Sequence, residues 1–264
     1  MGKIRLYTYA ASQASEKIRW ALDLAEISYR ECPLTPFVHA GEMFRSMPVL
    51  EADGETIVDS TRILEWLEAK RAPFPLIPRD PLVRTAVMEA EARLDLAGVH
   101  LLRWVYAELL RNRELALRLW SVDANIVQRL ALRAGFPVIR RLFERGVGFD
   151  DAQMARSKRI IDRSIAELDG LVAAGRTFSG TSVSAADITA AALLAPIACP
   201  EQHPIYGCPD YRKVMNAVAA PWQGRPGLDW VRALYRDYRR AAIRGVAQPS
   251  PDCPQSTHAG PVPA

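Results

Sequence analysis

A chain of 264 residues with 49% hydrophobic and 24% charged side chains has the balance of a soluble globular protein and enough length for two domains. The net charge of +4 is uneven, −2 over residues 1–80 and +6 beyond; without a dense basic stripe it argues against a nucleic-acid partner. The longest apolar run, "ITAAALLAPIAC", contains Pro196 and is too short to cross a bilayer, so no membrane partner is expected. The start shows no apolar leader, and four cysteines without a C-x-x-C pair point to a reducing compartment, the cytoplasm.

Residues 3–9 alternate as a strand does. "SEKIRWALDLAE" then places Ile18, Ala21, Leu22 and Ala25 at helical spacing, with Ser12 or Ser15 available as N-cap. "ISYREC", residues 27–32, is a second short strand, and two strands joined through a helix predict a right-handed crossover. Next comes "SMPVLEADGETIVDS". Here Val49-Leu50 and Thr56-Ile57-Val58 flank Asp53-Gly54, the dipeptide that favours a tight hairpin turn. "STRILEWLEAK" presents Ile63, Leu64 and Leu67 on one helical face.

The Pro-rich "KRAPFPLIPRDP" has linker composition, and past residue 81 strand signals almost vanish. Helical patterns run through residues 81–110, 150–175 and 184–197. A further amphipathic helix places Val231, Leu234, Tyr235 and Tyr238 on one face, with Gly245 as C-cap and its arginines on a solvated side. Residues 246–264 have a disordered, Pro-rich composition. The predicted division is 1–76, 77–84 as linker, 85–245 all-helical and 246–264 as tail. Cys199, His203 and Cys208 lack a fourth ligand at a common zinc spacing, so no metal is expected and the stretch reads as a loop with buried cysteines.

Three stretches carry a resemblance: "SMPVLEADGETIVDSTRILEWL", "LYTYAASQASEKIRWAL" and "TFSGTSVSAADITAAALL". In this order and at these intervals they are similar to the signatures of the glutathione S-transferase superfamily. The resemblance covers about residues 3–245, and it implies a thioredoxin-like α/β domain followed by an all-α helical bundle. It further implies a homodimeric, detoxification-type transferase that activates the thiol of glutathione, its co-substrate, for attack on a small apolar electrophile. The alternatives are a non-catalytic ligand-binding or interaction protein of the same fold, or a glutathione-dependent isomerase, lyase or peroxidase.

The resemblance also implies roles for residues. Pro48 matches a cis-proline that turns the Met47 backbone toward a bound tripeptide. Asp59 and Ser60 match the pair that meets the γ-glutamyl ammonium and carboxylate, while serving equally well as a helix cap. Ser12 matches the thiol-activating position of the serine and cysteine classes, with Tyr9 as alternative and Tyr7 behind it. A basic group for the glycine carboxylate falls to Arg45 or His39. His100, Arg103, Trp104 and Tyr106, on the first long helix, are candidates for the electrophile pocket, one or two of them lining it. Where the maleyl-adduct isomerases have Ser-Ser-Cys, this chain reads Ser12-Gln13-Ala14, which argues against that activity.

Overall fold

A computed structural model describes residues 4–36, 47–70 and 76–239. Strand β1 (Arg5–Tyr9) buries Leu6 and Thr8. Helix α1 (Gln13–Leu24) carries the chain across to β2 (Arg30–Leu34), parallel to β1. β3 (Val49–Ala52) runs antiparallel to β1, placing Leu6 against Leu50, and pairs with β4 (Glu55–Val58). The sheet order is β2-β1-β3-β4. At the hairpin both Asp53 and Gly54 have positive φ, +51° and +82°, as a type I′ turn requires. β2 begins three residues and ends two residues later than its hydrophobic pattern predicts. Residue-by-residue pairing from Arg5↔Arg30 to Tyr9↔Leu34 sets its bounds, and an edge position tolerates Pro33.

Helix α2 (Ser60–Lys70) packs on α1. The helical region follows with α3 (Pro81–Leu109), α4 (Arg113–Trp120), α5 (Ile126–Val147), α6 (Asp151–Ala173), α7 (Ala185–Ala198), α8 (Pro209–Val218) and α9 (Pro226–Tyr238). α4, α5 and α8 are absent from the sequence reading. In α5 the obstacle is Pro137, which removes one helical N–H. The Arg133 carbonyl, four residues back, accepts instead from Arg113 Nη2 at 3.0 Å.

α7 is the hub of the core. Every one of its residues is buried, and it packs on α1, α3 and α9. It begins with a capping box: Asp187 Oδ2 accepts from the Ser184 amide at 2.8 Å and from the Ser184 hydroxyl at 2.5 Å.

Ion pairs join the sheet region to the helices. Lys17 of α1, 1% exposed, donates to Glu91 of α3 at 2.7 Å, and Glu91 is itself fully buried. Arg239, just past α9, pairs with Glu16 at 2.8 Å and also with Asp23, both on α1. The solvated arginine face expected for α9 therefore needs correction at Arg239, which is 7% exposed because two α1 carboxylates face it. Tyr238 corrects in the other direction. It is 46% exposed while Val231, Leu234 and Tyr235 are buried, since the core face closes one turn earlier. Gly245 and residues 246–264 lie outside the described residues.

Candidate functional site

A cavity of about 430 Å³ opens between the end of β1 and the helices. One wall is the β1–α1 turn with Tyr9, Ala11, Ser12, Gln13 and Ala14, joined by Met47. The other is assembled from α3, α4, α5 and α7 and presents Val99, Leu102, Tyr106, Trp120, Phe143 and Leu193.

Local chemistry shapes the first wall. Ser12 leaves the strand with extended backbone (φ −83°, ψ 123°) and becomes the N-cap of α1. Its amide donates to the Tyr9 carbonyl at 3.1 Å, and its Oγ accepts from the Ser15 amide at 3.2 Å. Capping uses an acceptor lone pair, so the hydroxyl proton remains a donor directed from a helix N-terminus, where backbone N–H groups and dipole favour an anion. The turn is braced from the helical side by Tyr206, whose hydroxyl donates to the Ala11 carbonyl at 2.7 Å. Burial pushes the Tyr206 phenol well above its ordinary range, so it stays a proton donor.

Tyr9 lines the same cavity, but its hydroxyl is buried. Tyr7 does not: its hydroxyl donates to Glu51 at 3.0 Å. Burial raises the Tyr7 phenol, with the Glu51 carboxylate adding to the effect.

The Met47–Pro48 bond is cis, as the resemblance implies, and Met47 lines the cavity while Pro48 is buried. Asp59 and Ser60 sit at the β4–α2 junction and are not among the lining residues. Asp59 takes a left-handed backbone (φ +85°), and its Oδ1 accepts from the amides of Thr61 at 2.9 Å and Arg62 at 3.3 Å. Asp59 thus caps α2, and Ser60 is its buried first residue, 2% exposed. Arg45 and His39 lie outside the described residues.

Of the four pocket candidates on α3, Tyr106 lines the cavity. Its hydroxyl accepts from Trp120 Nε1 at 3.2 Å, and its ring packs against Phe143 at 4.6 Å between centroids. The other three point away. His100 Nδ1 and Arg103 Nη1 meet the Ser157 hydroxyl of α6 at 3.1 and 3.0 Å, and Trp104 packs edge-on against Trp222 at 4.7 Å. The reason is helical phase. Residues 94, 95, 98, 99, 102, 105 and 106 fall on one face of α3 and line the cavity, whereas 100, 103 and 104 fall on the opposite face. Burial together with Arg103 and Arg156 also lowers the His100 pKa below its ordinary value.

Sequence reasoning missed Lys17, Asp95, Leu119, Trp120, Phe143 and Tyr206, all of which line the cavity. The signal present was the aromatic spacing of α4 and α5, but which face turns inward depends on packing. The expected loop of buried cysteines needs partial correction. Cys199 is buried, its thiol pushed up to about 12 by burial, whereas Cys208 is exposed. His203 Nδ1 accepts from the Ile205 and Tyr206 amides, each at 3.1 Å. Among the described residues no three His, Cys, Asp or Glu side chains come together as a metal site, and no helix is long and apolar enough to cross a membrane.

Residues 6–75 match the family model described as glutathione S-transferase, N-terminal domain. A maleylacetoacetate isomerase of Rattus norvegicus is 38% identical over 158 residues, covering 56% of this chain and 68% of the relative. The chain belongs to the glutathione S-transferase superfamily. A second superfamily relative, the Mus musculus maleylacetoacetate isomerase, is 38% identical over 97 residues; the match spans 33% of this chain and less than half, 44%, of that protein. A glutathione S-transferase from Methylobacillus flagellatus, solved with glutathione bound, is 17% identical with a TM-score of 0.58, covering 89% of this chain and 95% of its own. That structure carries the superfamily fold, a small mixed sheet followed by helices, across nearly the whole length.

Proposed function

We propose that the protein is a glutathione transferase-like enzyme in which Ser12 activates the thiol of glutathione for attack on a small apolar electrophile. The observation that carries this reading is Ser12, the N-cap of α1, lining an aromatic-lined cavity together with Met47. A thiol ordinarily ionises near pH 8.5, roughly, and a fixed donor at a helix N-terminus favours the thiolate. The Met47 backbone would hold the tripeptide, with Asp59 and Ser60 at its γ-glutamyl end. Tyr106, Trp120 and Phe143 would face the second substrate, whose reacting carbon accepts the sulfur as its leaving group departs. The domain division at residues 76 and 85 belongs to the same reading, as do the cytoplasm and a homodimer. Exposed Leu82 and Leu96 on α3 are apolar surface that a second copy would cover.

A second reading, glutathione-dependent isomerisation, is favoured by the names of the rat and mouse relatives. It would use the same thiolate. Against it stands Ser12-Gln13-Ala14 in place of Ser-Ser-Cys.

The test is the ultraviolet absorbance of the glutathione thiolate bound to the protein, titrated against pH. Ser12→Ala is expected to abolish it near neutral pH and to lower kcat by about 10²-fold or more, whereas Tyr9→Phe leaves both in place. The reverse pattern moves the role to Tyr9. Failure of the wild type to be retained on immobilised glutathione overturns the reading.

A further inference from the structure

Among the described residues lining the cavity, two are charged: Lys17 and Asp95. They do not present their charges equally. The Lys17 ammonium is 1% exposed and is held between Glu91 at 2.7 Å and Asp95 at 2.9 Å. Glu91 and Asp95 are four residues apart on α3, so one helical face supplies both carboxylates. One cation against two anions leaves the cluster with a net charge of −1. Glu91 is fully buried, so the end that reaches the cavity is Asp95, whose side chain is 38% exposed.

Asp95 stands on the wall where a second substrate would lie. Its neighbours Leu94, Val99, Leu102 and Val105 are apolar, and Gly98, one turn on, faces the side chain of Gln13 next to Ser12. A carboxylate edge beside apolar side chains attracts hydrogen-bond donors and repels anions.

We propose that Asp95 is the charge-selecting residue of this cavity: it admits neutral aromatic electrophiles, favouring those with a hydrogen-bond donor, and excludes those that carry a carboxylate. This rests on the transferase reading above and specifies its second substrate. Lys17 is the positioning residue, holding Asp95 Oδ1 at 2.9 Å.

The test compares 4-chloro-3-nitrobenzamide with 4-chloro-3-nitrobenzoate, using the full chain and glutathione. In each reaction sulfur forms the bond to the ring carbon, chloride leaves with the electron pair of the broken bond, and the thiol proton passes to solvent. Each enzymatic rate is divided by its uncatalysed rate with glutathione, which removes the intrinsic difference in reactivity. The amide is expected to be preferred by about tenfold or more, and Asp95→Asn to bring the two within about threefold.

Equal normalised rates in the wild type overturn the proposal, and so does an unchanged preference in Asp95→Asn. A variant altered solely in its KM for glutathione also overturns it, since Asp95 would then serve the tripeptide. Tryptophan fluorescence quenching by unreactive 3-nitrobenzamide and 3-nitrobenzoate repeats the comparison on the wild type without turnover. Tighter binding of the amide by about tenfold supports charge selection even if no transferase activity is found, and equal binding rejects it.

Discussion

The two walls of the cavity are built on different physical terms. The β1–α1 turn is a local object: Ser12, Ser15 and Tyr9 satisfy one another within a few residues of chain. The opposite wall brings together Tyr106, Trp120, Phe143 and Leu193, from four helices spread over nearly ninety residues. None of those side chains is placed by its sequence neighbours. A site for a fixed ligand can rest on short-range hydrogen bonds, whereas a site for a variable ligand is assembled from helix faces and changes when packing changes.

Buried ion pairs connect the two walls, and they give the largest predicted effects. Glu91→Ala leaves the Lys17 ammonium buried with Asp95 as its remaining partner and is expected to cost about 3 kcal/mol or more of stability in denaturant unfolding. A change well below that would mean that the Lys17–Glu91 pair contributes little to joining the two regions.

The second prediction concerns Glu16. Burial by itself would raise this carboxyl, but Arg239, His203 and Arg19 outweigh it and hold it down at about 2, from an ordinary 4.5. For an acid with a depressed native pKa, the folded state binds fewer protons than the unfolded state above that pKa. Its contribution is therefore present in full above pH 4.5 and is lost as pH falls toward 2. Arg239→Met should weaken that acid dependence, measured as the unfolding midpoint against pH. An unchanged acid limb would show that the clamp from the end of α9 contributes nothing.

The smallest effect belongs to a purely local feature. Gly54 has φ +82°, and a Cβ there would meet nothing within 4 Å, so Gly54→Ala strains the turn alone. It should cost about 1 kcal/mol in thermal or denaturant unfolding. A cost as large as that of Glu91→Ala would erase the distinction between local and long-range elements.

Legibility in the sequence follows the same division. The Asp53-Gly54 hairpin, the Ser12 cap and the Ser184–Asp187 box were readable because each is completed within four residues. Asp59 was legible as a cap, but its carboxylate turns to the Thr61 and Arg62 amides, a direction set by its left-handed backbone. β2 begins later than its own pattern predicts because strand bounds come from the partner, not from the strand's own pattern. Which of His100, Arg103, Trp104 and Tyr106 lines the cavity is not legible in the sequence, because aromatic and basic side chains on a long helix carry no mark of which face meets a cavity; the structure selects Tyr106. Arg239 looked like one more solvated arginine until α1 supplied its carboxylates.

The amino-acid sequence by itself determined the order of elements and the turn chemistry of the first region, since those depend on backbone preferences and hydrogen bonds reaching a few residues. The three signature stretches, read together, pointed to the superfamily. The tertiary structure alone decided which carboxylate faces the cavity, which arginine is buried and which aromatics meet across it. Burial and charge compensation are properties of neighbours in space, and α1, α3 and α9 become neighbours only when the chain has folded around α7.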